Sequence, residues 1–88
     1  MAHSELRKLK KGACVRIHWV DVIAGNDQGW VEPDELDAKP AECLSVGYVV
    51  KRDKHQVVIA MSIGKHDKEV NTIGQIPLGC IQKVEVFE

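Results

Sequence analysis

From residue 13 the chain alternates between apolar and mixed positions. Ala13, Val15, Ile17 and Trp19 are apolar, with Cys14, Arg16 and His18 between them. A period of two predicts a half-buried strand over 13–20. Two further β-branched runs, 43–52 and 55–63, flank Asp53-Lys54 and read as a hairpin. With a tight turn there, Val50/Val57, Tyr48/Ile59, Val46/Met61 and Leu44/Ile63 oppose one another as an apolar face. Lys51/Gln56, Val49/Val58, Gly47/Ala60 and Ser45/Ser62 form the other, smaller face. A short strand follows near 72–76, interrupted by Pro77 and Gly79, and 80–87 is a last strand. Five short strands cover both apolar faces and hide their edges by closing into a small barrel.

Between these strands lie an arm and two loops. Residues 1–12 are a basic N-terminal arm, with Ser4 placed to cap a short turn over Glu5 to Leu9, and 13–88 form a single domain. The stretch 21–42 holds the turn signals Gly25-Asn26-Asp27 and Gln28-Gly29. It then runs through Glu32-Pro33-Asp34-Glu35-Leu36, which suits one helical turn near 32–37. Gly64 to Asn71 is a second polar loop.

Composition adds little. At 88 residues, 44% apolar and 28% charged, the chain is one ordinary globular domain, not a disordered one. No apolar run is long enough for a membrane helix, and the N-terminus lacks the apolar core of a secretory signal. Cys14, Cys43 and Cys80 are odd in number and widely spaced, which predicts free thiols in a reducing cytoplasm. The net charge of −1 hides a segregation. Residues 21–42 carry seven acids against Lys39 alone, a net −6, and the rest of the chain carries +5.

Two resemblances sharpen this reading. Gly74-Gln75-Ile76-Pro77-Leu78-Gly79-Cys80-Ile81 resembles the segment of SH3-type barrels that leads through a 3₁₀ turn into the final strand. It implies an all-β, five-stranded SH3-like small barrel with one long acidic loop and a short helical turn. The acidic-aromatic strip that binds Pro-rich ligands in that family is not recognisable, so that activity is not carried over. His18-Trp19, Gly29-Trp30, Ser45-Val46-Gly47 and Ile76-Pro77 with Ile81 resemble short proteins of tailed bacteriophages and prophages. That resemblance implies a phage or prophage origin and a bacterial host cytoplasm, and no particular activity.

The sequence chemistry favours binding over catalysis. Cys80 or Cys14 beside His18 or His55 is the only nucleophile–base combination to weigh, and apolar strands usually hold inert cysteines. No close pair of ligands anchors a metal, and no cofactor motif is present. We therefore expect no enzyme, no metal and no cofactor. The expected function is a non-catalytic interaction module that binds a protein: itself, a host protein or a virion component. Trp30, with Asp27, Glu32, Asp34 and Glu35 around it, is the expected partner-binding surface. Gly47, Val49, Val58 and Ala60 are the expected oligomer face, because small residues let another backbone approach. Arg7, Lys8, Lys10 and Lys11 are the expected contacts if the barrel binds nucleic acid instead. Sequestration of a small nucleotide signal of host defence is a further alternative. Trp19 points to the core, where its burial contributes ~2–3 kcal/mol.

Overall fold

The computed structural model describes residues 3–21 and 41–87. A short helix α1 (His3–Leu6) precedes five strands: β1 (Cys14–Asp21), β2 (Ala41–Arg52), β3 (Gln56–Ile63), β4 (Val70–Pro77) and β5 (Ile81–Phe87). A 3₁₀ turn, Leu78–Cys80, joins β4 to β5. The fold is all-β. The strands form one antiparallel sheet in the order β4-β3-β2-β1-β5. All five predicted strands are present within a few residues of their expected ends. The helical turn expected near 32–37 lies outside the described residues.

The core gathers on one side of the sheet. Val15 and Ile17 of β1 meet Val49 of β2, Val57 and Ile59 of β3, Ile76 of β4, Leu78 of the 3₁₀ turn, and Ile81 and Val84 of β5. Trp19 packs against this cluster as the alternation predicts, and its indole N–H donates to Ser45 Oγ at 2.9 Å. The Leu78 N–H donates to the His55 carbonyl at 2.9 Å, tying the 3₁₀ turn to the hairpin loop.

The central hairpin departs from its expected register. Arg52 stands opposite Val57 and Lys51 opposite Val58. A bulge then shifts the ladder, so that Val49 faces Ile59 and Tyr48 faces Ala60. Asp53 sets the turn. Its Oδ1 accepts from the N–H groups of His55 (2.7 Å) and Gln56 (2.9 Å), an Asx turn. A slip of one residue turns a strand over. Val57 and Ile59 point inward as expected, but on β2 it is Gly47 and Val49 that are buried. Leu44, Val46 and Tyr48 face outward.

This corrects the expected oligomer face. Gly47, Val49 and Ala60 are buried within the chain and Val58 is half-buried, so the four present no open surface. The reason is a close approach at Gly47. A Cβ there would lie 2.9 Å from the Ala60 carbonyl oxygen and 3.3 Å from Ile59 Cβ. The missing side chain makes room for the β3 backbone at Ala60, β3 being the neighbouring strand.

Residues 3–12 pack as part of the same unit. Leu9 is 2% exposed and belongs to the core, with Leu6 packed against it. The Gly12 N–H donates to the Val49 carbonyl at 2.7 Å, and the Val49 N–H donates to the Ala13 carbonyl at 2.8 Å. Ser4 lies inside α1 rather than before it, so the expected cap is not formed.

Candidate interaction face

The alternation that buries Val15 and Ile17 sends Cys14, Arg16 and His18 to the opposite face of β1. Register then determines their neighbours. Cys14 stands between Tyr48 and Phe87, Arg16 between Val46 and Glu85, and His18 between Leu44 and Lys83. Four large apolar side chains are open to solvent on this face: Leu44 at 57%, Val46 at 50%, Phe87 at 47% and Tyr48 at 40%. Contiguous exposed apolar surface of this kind marks interaction sites more often than scattered single residues do.

Glu85 organises the middle of the face. Arg16 grips it in a bidentate pair, Nε to Oε1 at 2.8 Å and Nη2 to Oε2 at 2.7 Å. His18 Nε2 lies 2.5 Å from Oε1. A carboxylate can only accept, so this imidazole nitrogen is the one that carries hydrogen. The guanidinium also sits 5.7 Å from the Phe87 ring centre, within cation–π range. The Arg16 and His18 hydrogen bonds hold the Glu85 carboxyl down at about 2. Glu85 in turn raises the Arg16 pKa. The result is an ion cluster held fixed among exposed apolar neighbours. None of the expected site residues included Glu85. Its partners lie 67 and 69 positions away, so only the β1–β5 pairing reveals it.

A hollow of about 300 Å³ borders the face where β2 and β3 diverge. Leu44, Val46, Ile59, Met61, Ile73 and Gly74 are among its lining residues. Met61 and Ile73 are also largely exposed, so apolar surface continues from the face into the hollow.

Trp30, Asp27, Glu32, Asp34 and Glu35 lie outside the described residues. Of the basic candidates, Arg7, Lys10 and Lys11 are exposed. Lys8 is engaged, donating to Glu5 Oε2 at 2.9 Å and to the Val84 carbonyl at 3.0 Å. Cys14 and His18 do not meet. Cys14 and His18 are four residues apart on one strand face, about 13 Å at the usual rise. Among the described residues, no three His, Cys, Asp or Glu side chains converge on a metal position. No described helix is long and apolar enough to cross a membrane.

No family model matches the chain, and no curated protein or solved structure matches it either.

Proposed function

We propose that the protein is a non-catalytic interaction module, an SH3-like barrel of phage or prophage origin, whose β1–β2–β5 outer face captures a protein partner. The observation that carries the binding reading is the exposed set Leu44, Val46, Tyr48 and Phe87 around the fixed Arg16–Glu85–His18 cluster. Apolar anchors around an oriented charge suit a protein surface, since the charge selects register and the anchors supply affinity. Two features support the barrel reading: the order β4-β3-β2-β1-β5 and the 3₁₀ turn before the last strand. Ile76 and Ile81, which carry part of the likeness to SH3 and phage proteins, are both core residues.

The test is capture from a bacterial host extract by the wild type and by Leu44→Ser/Val46→Ser. Both positions are exposed, so the variant keeps its melting temperature. It is expected to lose a partner that the wild type retains. Equal capture by both proteins overturns the face assignment. A second reading is favoured by one observation: Arg16, His18 and Lys83 share this face with two aromatics, as in single-strand-binding grooves. A salt-sensitive gel shift with single-stranded DNA or RNA, weakened by Tyr48→Ala, identifies that case.

A further inference from the structure

Among the described residues, the edge of β5 at Val84 is closed by side chains and not by a strand. In an antiparallel ladder, alternate residues direct their N–H and C=O groups to opposite sides. Val84 turns both away from β1. Its N–H donates to Glu5 Oε2 at 3.0 Å, and its C=O accepts from Lys8 Nζ at 3.0 Å. Glu5 and Lys8 are themselves paired at 2.9 Å. One carboxylate and one ammonium thus supply the acceptor and the donor that a neighbouring strand would bring. The Arg52 Nη1 to Leu6 carbonyl bond and the packing of Leu6 hold this segment in place. The other edge strand needs no such cover. β4 ends in Pro77, and Thr72 within it has φ of 55°, so its edge is already a poor template for pairing.

We propose that β5 is a self-pairing edge kept closed by the Glu5–Lys8 pair, and that its occupant once released is β5 of a second copy. The two strands would run antiparallel about a twofold axis through Val84. The β5 sequence itself carries the argument. In that register Val84 meets Val84 and the two exchange both backbone hydrogen bonds. Lys83 stands opposite Glu85, and Glu85 opposite Lys83, so two equivalent ion pairs form on one face. Gln82 meets Val86, whose backbone groups point the same way as those of Val84. A twofold through Val86 instead sets Glu85 against Phe87 and loses both ion pairs. Glu85 is also held in place beforehand by Arg16 and His18. Such an interface is isologous, as a closed dimer requires.

The experiment uses the full chain. Glu5→Ala/Leu6→Ser/Lys8→Ala removes the guard and leaves Leu9 in the core. Light scattering across a concentration series is expected to show the mass of this variant doubling relative to the wild type. Adding Lys83→Glu sets like charges across the twofold and is expected to return the mass to that of the wild type. Hydrogen exchange at the Val84 amide is expected to be slow in the dimer and fast in the Lys83→Glu version. An unchanged mass for the triple variant overturns the proposal. So does a doubling that survives Lys83→Glu, because the dimer would then use another surface. If the triple variant loses its native circular dichroism, Glu5→Ala/Lys8→Ala is judged by the same two outcomes.

Discussion

Replacing Gly47 by alanine adds one methyl group at the point where the β3 backbone at Ala60 approaches β2 most closely. That methyl would sit 2.9 Å from the Ala60 carbonyl oxygen, 3.3 Å from its carbon and 3.3 Å from Ile59 Cβ. Two of those atoms are backbone, and both residues lie in a ladder anchored on β4. The neighbours therefore cannot swing aside as the end of a long side chain would. Overpacking a tight interior costs about 1–3 kcal/mol. Against this, alanine restricts the unfolded chain and returns about 0.4–1 kcal/mol. The net expectation is a loss of about 1–2 kcal/mol, or roughly 5–15 °C in melting temperature for a domain of this size. Urea unfolding followed by circular dichroism measures it. Two other glycines serve as controls. At Gly79 an added Cβ meets nothing within 4 Å, so alanine should stabilise slightly, by about 0.5 kcal/mol. At Gly12 the space is equally open but φ is +92°, so alanine should cost about 1 kcal/mol through backbone strain alone. A Gly47→Ala protein as stable as the wild type, or more so, refutes the close approach of Ala60 to Gly47 and with it the inward orientation of Gly47.

Two further predictions follow from the packing and the ion cluster. Leu9→Ala should cost about 2–4 kcal/mol, because a fully buried leucine leaves a cavity when truncated. A change within 0.5 kcal/mol in urea unfolding would mean that residues 3–12 are an accessory arm. Glu85 has a folded-state pKa of about 2, below its usual 4.5, so the folded state binds fewer protons than the unfolded chain. Its contribution is present in full above about pH 4.5 and is lost as pH falls from there through about 2. Acid titration of the melting temperature should therefore fall more steeply for the wild type than for Glu85→Gln across that window. Parallel curves would show that the cluster adds nothing to stability.

Much of the architecture is legible along the chain because alternation is a local signal. Val15, Ile17 and Trp19 announce β1, and the Gly74–Ile81 segment announces the 3₁₀ turn and the start of β5. The central hairpin shows where that signal stops. Either face of β2 could have been read as the core face, since Val50, Tyr48, Val46 and Leu44 form the more apolar row. The bulge between Val49 and Lys51 decided otherwise: the pairing beside the Asp53 turn is displaced by two residues, which keeps the faces, and the bulge then slips it by one, which exchanges them. The expected oligomer face failed for the same reason, as Gly47 is buried against the Ala60 backbone of β3. In the N-terminal segment, the bases that read as a solvated arm surround Leu6 and Leu9, which anchor it.

By itself the sequence determined five strands, the inward face of β1 and the absence of any recognisable catalytic motif. Those properties depend on residues a few positions apart. Tertiary structure alone decided which face of β2 stays open, that Arg16 and His18 meet Glu85, and that Glu5 and Lys8 close the edge at Val84. Each of those contacts joins residues from distant parts of the chain, and register, which sets them, is a property of paired strands that no single strand contains.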